Sequence, residues 1–211
     1  MPDNSCEQLL KFNGLSLEIL EQLSFQSNMG MSLKKDLRYF DKQALIEELI
    51  CMTEWLDKQI LLSGIALDYR IKSLDSILLK YDRYYPEHQA RKVFNDILGF
   101  RAFCDDYGQL ADFAANNFCV ANMAEGKALD DEYRGVHVYY QRSSRYYPIE
   151  IQFNTLYDRQ MNNWLHSYIY KKKYSEHIGK ALRQRYEAGY IHNENYFKEA
   201  LKDVLFDCKS S

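Results

Sequence analysis

The chain has 211 residues, with 27 Lys and Arg against 30 Asp and Glu, for a formal net charge of −3. Hydrophobic residues make up 46% and charged residues 27%, an ordinary globular balance that excludes wholesale disorder and a coiled-coil rod. The length fits one domain or two small ones, and the lack of a basic excess excludes a uniform electrostatic coating of nucleic acid.

Residues 1–12 read MPDNSCEQLLKF, acidic where a secretory signal would be basic. No stretch approaches the ~18 apolar residues of a membrane span. Cys6, Cys51, Cys104, Cys119 and Cys208 are odd in number, widely spaced and without a CxxC. A disulfide frame or structural zinc site is therefore not expected, and reduced, mostly buried thiols in a cytoplasmic protein are.

Helical spacing predicts an element over residues 16–23, with Ile19, Leu20 and Leu23 on one face and Ser16 as N-cap. A second covers 44–62 (Leu45, Leu49, Met52, Leu56, Ile60) and a third 68–81, with Asp68 as N-cap. Pro86 marks a break. Residues 97–104 (ILGFRAFC) read as a buried strand and 108–123 as helix. Residues 135–141 (GVHVYYQ) and 145–153 (RYYPIEIQF) read as strands joined through Arg142, Ser143 and Ser144 in an antiparallel hairpin. Three helices follow from Leu156, broken near Gly179 and Gly189. The expected fold is α+β, a small, mostly antiparallel sheet flanked by helices.

No GxxxxGK[ST] and no GxGxxG after a strand is present, so a bound nucleotide must be held by side chains. Three constellations stand out. Lys72, Ser76 and Lys80 are four residues apart, with Arg70 just upstream. On one helical face they would hold a polyphosphate, and the plainer reading is a solvated face. Asp96 precedes one strand and Glu150 lies inside another. Acids at apolar strand positions are costly unless paired or bound to a cation, and two of them suit Mg²⁺ held against phosphates. Glu150 shares its face with Gln152 and Asn154, the alternative being a solvent-exposed sheet face. Tyr133, Arg134 and His137 form the third group, with Tyr133 able to stack on a base and Tyr139 on the His137 face. His88, His166, His177 and His192 have no partner at metal spacing and receive no role.

RxKxxxSxxxK (Arg70 to Lys80), DILGFR (Asp96 to Arg101), YRGVH (Tyr133 to His137) and EIQ (Glu150 to Gln152) occur in this order. Together they resemble the synthetase domain of the RelA/SpoT alarmone synthetases, over about residues 65–170. The short length resembles the single-domain small alarmone synthetases. The resemblance implies a nucleotidyltransferase-like synthetase fold. It divides the chain into an N-terminal helical segment (1–64), the synthetase core (65–170) and C-terminal helices (171–211) within one compact domain. The implied activity is transfer of pyrophosphate from ATP to a ribose 3′-hydroxyl. Arg70 and Arg101 would sandwich the adenine, and Lys72, Ser76 and Lys80 would hold the phosphates. Asp96 and Glu150 would hold Mg²⁺, with Glu150 also placed to accept the 3′-hydroxyl proton. Tyr133 would stack on the acceptor base beside Arg134, and His137 and Gln152 would orient the acceptor.

Guanosine-accepting members carry Lys and Asn shortly before the YRGVH-like Tyr. Here Leu129, Asp130, Asp131 and Glu132 stand there, and EIQFNT places Asn154 where EIQIRT has Arg. Both departures fall on the acceptor side. The chain is similar to a toxic subgroup, from toxin–antitoxin pairs, some of whose members pyrophosphorylate the 3′ CCA end of tRNA and so block aminoacylation. That resemblance implies a neutralising antitoxin partner and admits a homo-oligomer. The alternatives are a (p)ppGpp or (p)ppApp synthetase, with a guanine or adenine nucleotide as acceptor, and a non-catalytic RNA-binding relative. Residues 159–185 carry a net charge of +6 (Arg159, Lys171, Lys172, Lys173, Lys180, Arg183 and Arg185 against Glu176) and leave −9 for the rest. Trp164, Tyr168, Tyr170 and Tyr174 interleave with these cations, and Lys34, Lys35, Arg38 and Lys42 form a second basic group. Both are candidate RNA surfaces, or ordinary solvated helix faces.

Overall fold

The computed structural model describes residues 5–116, 118–126, 132–172, 174 and 176–207. The chain divides into two compact units, Met1–Ala121 with His137–Phe153, and Asn122–Val136 with Asn154–Ser211.

The first unit is built on a five-stranded mixed sheet with strands β1 (Tyr69–Ile71), β2 (Leu98–Phe103), β3 (Cys119–Asn122), β4 (Val136–Tyr140) and β5 (Ile149–Asn154), in the order β1-β2-β5-β4-β3. Leu98, Phe100, Ala102, Val138, Ile149, Ile151 and Phe153 are all fully buried. The α+β expectation holds. The three strands read from the sequence are β2, β4 and β5, each slightly shorter than expected. β5 starts at Ile149 rather than Arg145 because residues 145–147 are engaged elsewhere. The Arg145 carbonyl accepts from Ser27 N at 2.8 Å, and Tyr147 N donates to the Phe25 carbonyl at 3.1 Å.

The helices of this unit follow their capping and apolar signals. In α2 (Leu17–Gln22) the Ser16 hydroxyl accepts from Ile19 N at 3.2 Å, the expected N-cap. In α3 (Lys42–Asp57) Asp41 caps Ala44 N at 2.8 Å, and Leu45, Leu49, Met52 and Leu56 form the buried stripe. The helix predicted over 44–62 is two pieces. Lys58 N and Gln59 N turn back to the Trp55 and Leu56 carbonyls, a short α4 (Ile60–Ser63) follows, and Ile60 is exposed. A helix α1 (Ser5–Phe12) precedes the first expected one.

Two further corrections concern strands. The helix predicted over 68–81 begins as β1, antiparallel to β2 with Arg70 opposite Gly99, and becomes α5 only over Leu74–Tyr84. Asp68 is therefore no N-cap; its carbonyl accepts from Arg101 N at 2.8 Å. The helix predicted over 108–123 is a 3₁₀ stretch, Tyr107–Asn116, followed by β3. A short α6 (Ala90–Val93) precedes β2.

The second unit packs α7 (Leu156–Tyr168), α8 (Glu176–Glu187) and α9 (Glu194–Asp207) around Met161, Trp164, Leu165, Leu182, Tyr186 and Phe197. Gly189, at φ +78, breaks the chain after α8 as expected. Gly179 does not break it. It lies inside α8, where a Cβ would meet the Glu132 side chain at 3.5 Å, an ordinary contact. Among the described cysteines none is in a disulfide; Cys6 and Cys104 are buried, but Cys51 and Cys119 are exposed, against the expectation of mostly buried thiols. Among the described residues no helix is long and apolar enough to cross a membrane.

Candidate active site

Asp96 ends the turn before β2 and is 8% exposed. Three cations converge on it. Lys72 Nζ lies 2.6 Å and Arg70 Nη2 3.4 Å from Oδ2, and Lys80 Nζ lies 3.0 Å from Oδ1. Burial alone would raise this carboxyl, but Lys80 and Lys72 outweigh it and hold the group below its ordinary value. The residues expected as one helical stripe thus arrive by different routes. Arg70 comes from β1. Lys72 comes from the link to α5, where its N donates to the Ile97 carbonyl at 2.8 Å, and only Ser76 and Lys80 come from α5. Ser76 is exposed and accepts from Ser73 Oγ at 2.9 Å. Arg101 lies two residues beyond Gly99, the partner of Arg70, so both guanidiniums share one sheet face. Diagonal neighbours on such a face stand about 7–8 Å apart, room for one planar ring between them.

Glu150 is on β5, the middle strand, and only 4% exposed. The solvent-exposed alternative for this face is overturned. His137 Nδ1 lies 3.0 Å from its Oε1, the Tyr139 hydroxyl donates to the same oxygen at 3.2 Å, and Gln152 Nε2 donates to Oε2 at 2.7 Å. Burial and the charge of Asp96 push this carboxyl up; the His137 and Gln152 hydrogen bonds prevail and leave it lowered. Gly99 is the close approach that admits it, since a Cβ there would sit 3.2 Å from Oε2.

A cavity of about 280 Å³ joins these groups, with Lys80, Asp96, Tyr139 and Glu150 in its wall beside Tyr84, His88 and Lys92. A larger cavity, about 320 Å³, lies by α1 and the 3₁₀ stretch and contains none of the expected site residues. Among the described residues no group of three or more His, Cys, Asp or Glu could hold a metal. Two carboxylates on one cavity still fit Mg²⁺, which commonly takes one or two carboxylates and completes its shell with substrate phosphates and water. Their mutual repulsion is what such a cation relieves. Sequence reasoning missed Tyr139 as a ligand of Glu150, although it placed that side chain on the His137 face. It also gave no role to His88, Tyr84 or Lys92, which reach the cavity from outside the motifs.

The second unit holds the remaining expected site residues in its own network. Asn154, buried, donates to the Arg134 carbonyl at 2.7 Å and to the Tyr133 hydroxyl at 3.4 Å. Asn162 donates to the same carbonyl at 2.7 Å. A Cβ on Gly135 would lie 2.4 Å from Asn154 Nδ2 and 2.8 Å from the Tyr133 hydroxyl, so a side chain at this position of YRGVH would have to displace one or both. Arg134 donates to the Tyr133 carbonyl at 3.1 Å and lies 3.4 Å from Glu132, itself at φ +65. Leu129, Asp130 and Asp131 lie outside the described residues, as does Lys173.

The basic surface expected over 159–185 is smaller than its composition suggests. Arg183 is 2% exposed and bonds Asp158 at 2.8 Å and the Glu132 carbonyl at 2.6 Å. Arg185 is half-buried, 3.7 Å from Asp203. Trp164 is core, and Tyr168, Tyr170 and Tyr174, half-buried, pack against that core. Lys171, Lys172 and Lys180 remain exposed. In the first unit Lys34 and Lys35 are exposed, while Arg38 pairs with Asp36 and Lys42 with Asp82.

No family model matches this chain, and no curated protein matches it. Among solved structures, small alarmone synthetase 1 from Bacillus subtilis is similar at 20% identity and a TM-score of 0.43, covering 80% of this chain and 98% of that one. Small alarmone synthetase 2 from the same organism stands at 16% identity and 0.44, again covering 80% and 98%. A GTP pyrophosphokinase family protein from Streptococcus pneumoniae stands at 17% and 0.38, covering 78% and 87%.

Proposed function

We propose that this chain is an ATP-dependent pyrophosphokinase that transfers the β,γ-pyrophosphate of ATP to a ribose 3′-hydroxyl. The observation that carries the reading is the cavity in which Asp96, ringed by Lys72, Lys80 and Arg70, stands with Glu150. Transfer of this kind needs alignment and charge neutralisation more than covalent chemistry. The 3′-oxygen bonds to the β-phosphorus, the bond from that phosphorus to the α,β-bridging oxygen breaks, and AMP leaves with the oxygen. Glu150, kept ionised by its donors, accepts the hydroxyl proton. Lys72, Lys80 and Ser76 would bind the triphosphate, and Arg70 and Arg101 the adenine. Mg²⁺, held by Asp96 and Glu150, would neutralise charge developing on the phosphates.

For the acceptor we favour the 3′ CCA end of tRNA, making the protein a cytoplasmic toxin with a neutralising antitoxin, and open to homo-oligomer formation. The acidic stretch ending at Glu132 and the exchange of Arg for Asn154 support this, since both remove cations that would meet nucleotide 5′-phosphates. Exposed Lys171, Lys172 and Lys180 supply phosphate contacts. The burial of Arg183 and Trp164 leaves fewer RNA contacts than the sequence suggests and favours a second reading, a guanine or adenine nucleotide acceptor.

The test is incubation with ATP labelled in its terminal phosphates, Mg²⁺, and either tRNA or GDP plus GTP or adenine nucleotides. Label on tRNA is expected; label on nucleotide alone would sink the tRNA reading, and label on none, from folded protein, would leave the non-catalytic relative. Lys171→Glu with Lys172→Glu is expected to slow the tRNA reaction and flatten its dependence on salt by about one unit of log–log slope per lysine. An unchanged rate across a salt series removes these lysines from the RNA surface.

A further inference from the structure

We infer that Tyr139, a residue outside every motif, is a positioning residue that fixes the Glu150 carboxylate for transfer. The inference rests on the pyrophosphokinase reading and goes beyond it by assigning work to a hydroxyl that the motifs leave unassigned.

The geometry is a carboxylate held by three side chains. Gln152 binds Oε2 from two residues along β5, while His137 and Tyr139 reach Oε1 from the neighbouring strand β4 at 3.0 and 3.2 Å. The Tyr139 hydroxyl also lies 3.4 Å from His137 Nδ1, so imidazole, phenol and carboxylate meet in one three-way contact. Gly99 closes the remaining side, where a Cβ would stand 3.2 Å from Oε2. Tyr139 alone of the three donors lines the cavity together with Glu150.

The phenol hydroxyl donates to Glu150 Oε1 at 3.2 Å from the cavity wall that both residues share. A carboxylate with a fixed donor on one oxygen cannot swing about its terminal torsion, which is otherwise broad. It presents its remaining lone pairs in one direction, toward the cavity. Reactions of this class lose rate steeply when a reacting group is displaced by a fraction of an ångström.

Tyr139→Phe removes the hydroxyl and keeps the ring. The expected result is a kcat lowered about 10–100-fold, the usual cost of losing such a supporting partner. KM for ATP should stay within about twofold and the unfolding midpoint should be near that of the unaltered chain. Tyr140→Phe is the control, since Tyr140 points to the opposite face and its ring meets Phe118 at 5.6 Å. It should leave kcat unchanged. A Tyr139→Phe variant with unaltered kcat overturns the inference while the pyrophosphokinase reading stands. So does one in which kcat, KM and unfolding midpoint worsen together, because that pattern marks packing alone. An unaltered chain that neither transfers label to any acceptor nor binds a non-hydrolysable ATP analogue by calorimetry overturns both.

Discussion

Asp96→Ala is expected to abolish pyrophosphate transfer to either acceptor, lowering kcat by at least about 10³-fold, since a charge-neutralising metal site is worth several kcal/mol and each 1.4 kcal/mol is tenfold. The substitution removes more than one metal ligand. Lys72 and Lys80 have largely buried side chains, and both are oriented by this one carboxylate, with Arg70 on the same oxygen as Lys72. Without it, three cations repel one another where the triphosphate would lie, and the phosphate cradle opens along with the metal site. Asp96→Asn tests charge against shape, because the amide keeps the shape and loses the charge that binds both lysines and metal, and it should fail as Asp96→Ala does. Labelled-ATP transfer, read beside the unfolding midpoint, checks both variants. Activity near that of the unaltered chain in folded Asp96→Ala would refute the assigned role.

Arg183→Met is expected to be the most destabilising single change in the second unit, costing about 3–5 kcal/mol, the range for breaking a buried ion pair from one side. The guanidinium is 2% exposed and ties α8 both to α7 and to the backbone at Glu132. It bonds Asp158 of α7 at 2.8 Å, the Glu132 carbonyl at 2.6 Å and Asn162 Oδ1 at 3.3 Å. Glu132 holds a left-handed backbone conformation unusual for a residue with a side chain, and such strain persists only where surrounding bonds fix it. Loss of Arg183 therefore releases the segment that carries Tyr133 and Arg134. Arg183→Lys keeps the charge but not the fork, so it should recover only part of the loss. Denaturant unfolding of the full chain measures both. A shift below about 1 kcal/mol for Arg183→Met, within the span of ordinary surface changes, would sink this account.

Which parts of the molecule the sequence disclosed follows from how far each signal reaches along the chain. β2, β4 and β5 were legible because apolar alternation is a local property and each strand is five or six residues long. β1 and β3, with three and four residues, are too short to show a period, and each sits beside a segment with real helical spacing. That spacing misdirected the reading of Lys72, Ser76 and Lys80. Their i, i+4 separation suits a helix, yet Lys72 is fixed to the Ile97 carbonyl before the helix begins. The carboxylates were legible because an acid between Ile149 and Ile151 is costly and asks for a reason. Their partners were less so. Tyr139 and Gly99 touch Glu150 from neighbouring strands, and Arg183 finds Glu132 across 51 positions. Nothing in a basic amphipathic stretch distinguishes a cation that faces water from one that closes a buried network.

The sheet order adds a consequence for which changes the chain can absorb. Glu150 sits on the middle strand, its donors His137 and Tyr139 on one neighbour, and Gly99, with Asp96 just before it, on the other. Because side chains alternate along a strand, sliding β4 by one residue would replace His137 and Tyr139 with Val136 and Val138, and Glu150 would face hydrocarbon. The reading frame between strands is thus a chemical constraint as well as a packing one. A one-residue deletion within Val136–Tyr140 would move His137 and Tyr139 to the side where Val136 and Val138 are buried, and so cost the sheet as well as the site.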